Sequence, residues 1–534
     1  MTGNLTGSRL FGSGATRPTP DAERGTGADE VVETVNARAR SVLGRTAVLA
    51  GVLVALVMSL AMVGSGTPAA ADETQDRPVV RVGTEGTYPP FSFERDGELT
   101  GYDIEVMRAV AEEAGFEVEF VEAPFDALFA SLDSGRVDAI ANQVTINPER
   151  EARYLFTRPY TYSRGVIVAA TDTDDIETLD DIRGKVAAQS ETSNWSQVAR
   201  DAGAEVQAVE QFSQAAELLV QGRVDVVVND SIAVLDYLAS TGSTDIEVKG
   251  EVDDEVSRQA LVFGQDDQEL RDRADEALAT LQDDGTLAEI SESYFGADVS
   301  IEDGGEVEVE GSSGGRTTWE VVQDTAGPMA WGVVKGTIPL TIVSFVAGLA
   351  IALVVALARM SSLRALRLPA KFYISLIRGT PLLVQLFVIF YGLPQLGIKL
   401  PGFPAACVAL SLNVGGYAAE IIRSSILSVP RGQFEAATTI GMDYRQTMRR
   451  IVLPQASRIA VPPLSNTLLS LVKDTSLASV VLVTEPLREA VKAASVTGEF
   501  LPLYCLAALY FWVICFLLSI AQGRLEKKLG RYAT

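Results

Sequence analysis

The sequence predicts a multi-domain chain, an α/β unit of two lobes followed by an all-α membrane unit of five spans. Three observations predict it. From Val79 onward, short β-rich runs alternate with amphipathic helical stretches, as in VVRVGT (79–84), IEVMRAVAEEAG (104–115) and EVEFVEA (117–123). That is the pattern of strands joined by crossover helices. Apolar runs then fall near 332–358, 381–397, 402–422, 457–483 and 500–521, each long enough to cross a bilayer. The third observation is charge. Residues 72–317 carry 55 Asp+Glu against 18 Lys+Arg, a net of −37, whereas residues 318–534 carry 20 basic and 10 acidic groups, a net of +10. An acidic part beside a basic, apolar part implies two solvents, water on one side and bilayer with cytoplasm on the other.

Taken in order, residues 1–45 are rich in Gly, Thr, Arg and Asp without hydrophobic periodicity, and are expected to be disordered and cytoplasmic. Residues 46–63, TAVLAGVLVALVMSLAMV, are uncharged and come after Arg38, Arg40 and Arg45. Residues 46–71 are therefore a signal peptide, ending at Ala69-Ala70-Ala71, or a signal anchor. Either fate exports the α/β unit. A second α/β series starts near Lys185, with VAAQ (186–189), WSQVARDAG (195–203) and VQAVE (206–210). Two lobes sharing a cleft fit the length, and ligands of such sheets sit at the carboxyl ends of strands. This places an α/β binding domain at 72–298. Residues 299–324 begin acidic and Gly/Ser-rich and are expected to be a flexible linker, followed by a membrane domain at 325–534.

Composition removes several chemistries. The chain has no His, and its three cysteines, Cys407, Cys505 and Cys515, lie in apolar runs. His-dependent triads, His or Cys metal sites and a disulfide framework are therefore not expected. No basic patch supports nucleic-acid binding. No G-x-x-x-x-G-K-[ST] occurs; Gly184-Lys185 is followed by Val, so the chain is not expected to hydrolyse ATP.

The stretch GTEGTYPPFSFERDGELTGYDIEVMRAVAEEAG (83–115), with VTINPER (144–150), VDVVVND (224–230) and DDGTLAEISESYFG (283–296), resembles the periplasmic polar-amino-acid binding proteins over about residues 78–298. The resemblance implies a two-lobed periplasmic-binding-protein fold and a set of substrate contacts. Tyr88 and Phe125 would flank the substrate side chain. Thr145 and Arg150 would hold its α-carboxylate, Arg150 as a bidentate fork, and Asp230 its α-ammonium. Glu85 and Gln189 stand where the family reads the side-chain tip, with Ser193 on the same second-lobe loop. Taken singly, Tyr88 and Phe125 suit a core; the joint spacing of four motifs points to a cleft. Asn142-Gln143 departs from the small residues usual before the Thr, so Gln143 either narrows the pocket or adds an amide contact. An acidic Glu85 without a facing Lys favours a basic or amide amino acid.

Residues 435–454, EAATTIGMDYRQTMRRIVLP, resemble the EAA loop of ABC-importer permeases. Glu435, Ala436, Ala437, Gly441, Ile451, Leu453 and Pro454 fall in register with its pattern. Physically, the stretch is expected to be two short helices with a left-handed exit at Gly441, stopped at Pro454. RGTPLLVQLF (378–387) and SNTLLSLVKDTSLASVV (465–481) resemble the His/Glu/Gln/Arg branch of these permeases. The resemblance implies a plasma-membrane importer, with the binding domain outside the cytoplasm and the EAA loop docking a separate ATPase dimer. ATP and Mg²⁺ are expected on that ATPase, and no cofactor or metal on this chain. With one five-span unit encoded, a homodimer is the simplest assembly; a heteromer with a second permease is the other. Glu485, Glu489 and Glu499 mark an outside loop. Glu420 and Asp474 lie in or at the ends of apolar runs, where charge is costly, and are expected to face the translocation path or, for Glu420, to form a helix-end ion pair. Two other function classes remain. One is a ligand-gated channel, although NVGGYAAE (413–420) suits close helix packing rather than an ion filter. The other is an extracytoplasmic enzyme on the binding fold.

Overall fold

A computed structural model of the chain describes residues 77–530, apart from 96, 253–255, 303–306, 309–310 and 312–315. The expected disordered N-terminus (1–45) and the signal segment (46–71) lie outside the described residues.

Lobe one is built on a sheet of order β5-β1-β6-β14-β7, where β7 is Leu155–Phe156, with β8 (Thr161–Ser163) also paired to β14. Strand β1 (Val79–Thr84) runs parallel to β5 (Glu117–Glu122) and β6 (Ala139–Thr145), and β14 (Ser257–Phe263) runs antiparallel to β6. Helix α1 (Tyr102–Ala114) buries Ile104, Val106, Met107 and Val110 and ends on Gly115 at φ 72°, a left-handed cap that glycine adopts without a Cβ penalty. Helices α2 (Phe125–Asp133) and α3 (Pro148–Glu151) come after β5 and β6.

The chain passes from β8 (Thr161–Ser163) into β9 (Gly165–Ala170), the first strand of lobe two. There β12 (Val227–Asp230) and β13 (Ile246–Glu251) flank β9 antiparallel, and β10 (Val186–Gln189) pairs β11 (Glu205–Ala208) in parallel. An Ala187–Val226 bridge joins the two groups. Helices α4 (Asn194–Asp201), α5 (Phe212–Val220) and α6 (Ser231–Thr241) lie on this lobe. The chain returns through β14 to α7 (Gln268–Asp283) and α8 (Thr286–Phe295), which pack on the lobe-one core. The alternating series predicted from the sequence is thus present in both lobes.

The membrane unit comprises α9 (Thr318–Gly332), α10 (Ile338–Met360), α11 (Arg364–Gly379), α12 (Leu382–Phe387), α13 (Gly402–Leu427), α14 (Arg431–Thr439), α15 (Tyr444–Thr447), α16 (Leu453–Asp474), α17 (Pro486–Thr497) and α18 (Phe500–Gly530). Among the described residues, three continuous stretches, 318–360, 402–427 and 500–528, are long and apolar enough to cross a membrane; two further ones are bent pairs, 364–379 with 382–392 at 110° and 444–481 with 486–497 at 47°. The five expected apolar runs are all helical, two of them as parts of bent units.

Two boundaries differ from expectation. The first membrane helix starts at Thr318, inside the expected linker 299–324. The Thr317 side chain accepts from Glu320 N–H and Glu320 reaches back to Thr317 N–H, a capping box that starts a helix ahead of the apolar run. Nor is all of the linker free, since Val299 is buried and Val307 packs on the lobe-one core. Second, Pro454 does not end a helix. It occupies the first turn of α16, directly after a π-turn at Met448–Val452, where its missing N–H costs little.

The glycines of NVGGYAAE sit where helices touch. A Cβ on Gly416 would meet Ile377 at 2.6 Å and one on Gly415 would meet Ile351 at 2.7 Å, so α13 approaches α10 and α11 at backbone distance.

Candidate functional site

Between the two lobes lies a cleft of about 520 Å³, counted to its open mouth. Bonds cross it from lobe to lobe. Thr192 donates its N–H and hydroxyl to Asp126 Oδ1 at 2.9 and 2.7 Å. Arg150 Nη2 donates to Thr192 O at 3.2 Å, and Gln211 Nε2 donates to Thr87 Oγ1 at 3.1 Å. Asn229 Nδ2 reaches Tyr88 Oη at 3.4 Å.

Six of the nine residues expected to touch substrate line this cleft: Glu85, Tyr88, Phe125, Gln143, Gln189 and Ser193. Glu85 sits just past the carboxyl end of β1 and is 8 % exposed. Asn142 holds it in place, donating Nδ2 to Glu85 Oε2 at 2.9 Å and accepting from the Glu85 N–H at 2.7 Å. Burial pushes the Glu85 carboxyl up to about 8, opposed by the Asn142 bond and assisted by the negative charge of Asp126. Burial therefore favours the uncharged carboxyl, and a cation placed beside it would favour ionisation.

Gln143 sits at φ 48°, a left-handed conformation that non-glycine residues adopt only under local constraint. The constraint is Asp103 of α1, which accepts from both the backbone N–H and the side-chain amide of Gln143. Thr161 accepts from the same amide at 3.0 Å. Gln143 Oε1 and Gln189 Nε2 are buried without a protein partner among the described residues. One is an acceptor on lobe one and the other a donor on lobe two. Burial raises the Asp103 carboxyl to about 7, against the Gln143 and Tyr160 bonds that lower it.

Thr145, Arg150 and Asp230 do not line the cleft. Arg150 stands behind Phe125, its guanidinium 5.8 Å from that ring and 5.2 Å from Phe129. It donates Nη1 to Thr145 O at 3.0 Å, and desolvation lowers it to about 10. Asp230 caps α6 by accepting from Ile232 N–H at 2.9 Å and accepts the Ser163 hydroxyl. Burial raises it to about 6, against those bonds. Ser193 caps α4 through Ser196 N–H and donates to Ser190 O. Sequence reasoning missed Asn142, Ser190, Asn194, Trp195, Phe212 and Asn229 on the cleft wall. No local signal marked Asn229: strand alternation sets it opposite Asp230 in β12 but does not say which of the two faces the cleft.

At the far end of α13 from this cleft, α14 and α15 form the expected helix pair, turned by Gly441 at φ 78°. Met442 N–H donates to Ala437 O at 3.0 Å, and Asp443 caps α15. Ala437 is buried, Glu435 and Ala436 are exposed, and Leu453 and Pro454 lie on the surface while Ile451 is half-buried. Ile440 is 75 % exposed and Tyr444 53 %, an uncovered apolar edge at this end. Glu420 pairs with Arg423 one turn on in α13, through Nε at 3.0 Å. Asp474 ends α16, half-buried.

Comparison with known proteins divides the chain the same way. Residues 80–297 match the bacterial extracellular solute-binding proteins of family 3, and residues 344–531 match the binding-protein-dependent transport system inner membrane component. The L-cystine transport system permease protein TcyB of Bacillus subtilis is 54 % identical over 215 residues, 40 % of this chain and 92 % of that one. The L-cystine-binding protein TcyA of Bacillus subtilis is 40 % identical over 268 residues, 48 % of this chain and 99 % of that one. Among solved structures, the unliganded L-cystine solute receptor of Neisseria gonorrhoeae is 41 % identical, covering 42 % of this chain and 95 % of that one, with a TM-score of 0.32.

Proposed function

Because the chain belongs to the amino-acid ABC transporters, as a family 3 solute-binding domain fused to an inner membrane permease component, we propose that it imports an amino acid with a cationic distal end. L-cystine is the first such substrate, and arginine and lysine are the next. A primary amide such as glutamine is the second reading. It would satisfy the free Gln143 acceptor and Gln189 donor together.

The observation that carries the reading is Glu85, a buried carboxyl on the cleft wall with one oxygen fixed by Asn142. A cation placed there gains a charge-assisted bond in a buried site. L-cystine bears an ammonium and a carboxylate at each end. One end would meet Thr145 and Arg150 with its carboxylate and Asp230 with its ammonium once these side chains, which stand behind the cleft wall, turn into it, with Tyr88 and Phe125 beside the middle. Its distal ammonium would meet Glu85, and its distal carboxylate the Gln189 donor and the Ser193 loop. The relatives named for L-cystine support this choice.

In this reading the binding domain lies outside the cytoplasm. Two chains form the translocation path, with Glu420 and Asp474 along it, and the exposed α14–α15 edge docks a separate ATPase dimer that supplies ATP and Mg²⁺. Calorimetry on the full chain with L-cystine, arginine, lysine, glutamine and glutamate tests the substrate. L-cystine or a basic amino acid should bind tightest, and glutamate binding tightest would overturn the reading. Uptake into vesicles with the ATPase should require ATP. A ligand-gated current without ATP would point to a channel instead, and conversion of the ligand to an enzyme.

A further inference from the structure

The binding domain rests on the membrane unit through α17, and the two lobes meet that helix differently. Arg488 Nη2 donates to Glu122 Oε2 at 2.8 Å; Lys492 Nζ donates to Glu94 Oε2 at 2.5 Å and to Glu122 Oε1 at 3.3 Å. Beside them, Lys399 Nζ donates to Gly135 O at 2.5 Å. Arg136 Nη2 donates to Phe390 O at 2.6 Å, with its guanidinium 3.7 Å from the Phe390 ring centre. Glu94, Glu122, Gly135 and Arg136 all belong to lobe one. The α17 ion pairs are sheltered, with 13–15 % of the cation side chains and 22–23 % of the carboxylates exposed, so salt screens them less than open surface pairs.

Lobe two meets the last turn of α17 by packing. Phe212 of α5 and Tyr237 of α6 face Ser495 and Val496 across a gap of about 260 Å³, and Thr241 abuts Gly498. The helix they rest on is capped and closely packed into the membrane unit. The fully buried Glu485 caps it, accepting from Leu487 and Arg488 N–H at 2.9 and 2.6 Å. Gly332 lies so close that a Cβ there would meet the Glu485 carbonyl carbon at 2.9 Å. The helix also packs along α9 and α18, the first and last membrane helices.

We propose that lobe one is the anchored half of the binding domain, seated on α17 of its own chain. Lobe two swings on and off the last turn of α17 as the cleft closes and opens, so α17 transmits closure to the two membrane helices beside it. The swing rests on the reading of the cleft as the substrate site; the anchor does not.

The test uses the full chain in lipid nanodiscs, with Cys407, Cys505 and Cys515 replaced. Maleimide spin labels, whose thioether L-cystine cannot exchange, go at exposed positions: Glu98→Cys on lobe one, Glu247→Cys on lobe two and Leu396→Cys on the membrane unit. Pulsed-EPR distances should give one narrow 98–396 population with and without L-cystine, and a 247–396 population that shifts when it is added. Two labels moving together, or a mobile lobe one beside a fixed lobe two, would overturn the proposal. The anchor is decided without ligand. R488E/K492E should broaden the 98–396 distance several-fold, and adding E94K/E122K should narrow it again. No broadening sinks the anchor. Diluting labelled chains with unlabelled ones should leave 98–396 unchanged; its loss would move the seat to a neighbouring chain. Calorimetry on the R488E/K492E variant should show unaltered ligand binding, so a failed anchor and a failed cleft give different results.

Discussion

Asp103 grips Gln143 twice, accepting its backbone N–H at 2.8 Å on Oδ2 and its side-chain amide at 2.5 Å on Oδ1. The grip holds a left-handed residue in place at the cleft wall and leaves Oε1 of its amide for something else to satisfy. In Asp103→Ala, the buried Gln143 backbone N–H loses its acceptor and the side-chain amide keeps only Thr161, costing about 1–3 kcal/mol for the orphaned N–H. Hydrogen exchange in β6 and α1 should speed up by a factor on the order of 10–100. Unchanged exchange would mean that Gln143 holds its conformation without Asp103.

Glu85 gives a pH prediction. Its carboxyl is raised to about 8 by burial, so at pH 7 roughly nine in ten free molecules carry the proton. A cationic ligand tip lowers that value in the complex, which then holds fewer protons than the free protein. Affinity should rise with pH up to about 8, and binding at pH 7 should release close to one proton, measured by calorimetry in buffers of different ionisation heat. Glu85→Gln should abolish the release. A neutral amide ligand would release almost none, which separates the two readings of the substrate.

Arg150 and Asp230 stand just behind the cleft wall, and each also has a structural duty. Arg150→Ala should weaken ligand binding by a factor on the order of 30 or more, through an unpaired substrate carboxylate. It also loses the bond to Thr192 across the lobes. For Asp230 the telling variant is Asp230→Asn, which keeps a side-chain oxygen to cap Ile232 N–H and removes the charge. A tenfold or greater loss of affinity supports the ammonium contact; unchanged affinity leaves Asp230 as a cap alone.

Gly441 occupies φ 78° with open space where a Cβ would be, so a substitution strains only the backbone, by about 1–2 kcal/mol. Gly441→Val should leave ligand binding intact and abolish both uptake and ligand-stimulated ATP hydrolysis in vesicles with the ATPase. Normal stimulation would show that this turn does not carry the coupling.

What the sequence determined by itself was whatever has a local period or a fixed spacing. Alternating strands and helices, the apolar runs and the Gly441 turn each arise from residues a few positions apart, because secondary structure is chosen by neighbours along the chain. Six of the nine expected substrate contacts fall on the cleft wall because they sit at or near element ends beside recognisable motifs. The membrane helix starts early at Thr318, against expectation, since a capping box can start a helix before its apolar run begins. Pro454 reads as a stop in sequence because a π-turn that accommodates it has no clear sequence signature. Tertiary structure alone decided that Asn229 rather than Asp230 faces the cleft, and that Asp103 fixes Gln143 from 40 residues away. It alone set Lys492 against Glu94, a pair separated by 398 positions. Contacts at that range leave no trace in local pattern, because they depend on how two finished units meet.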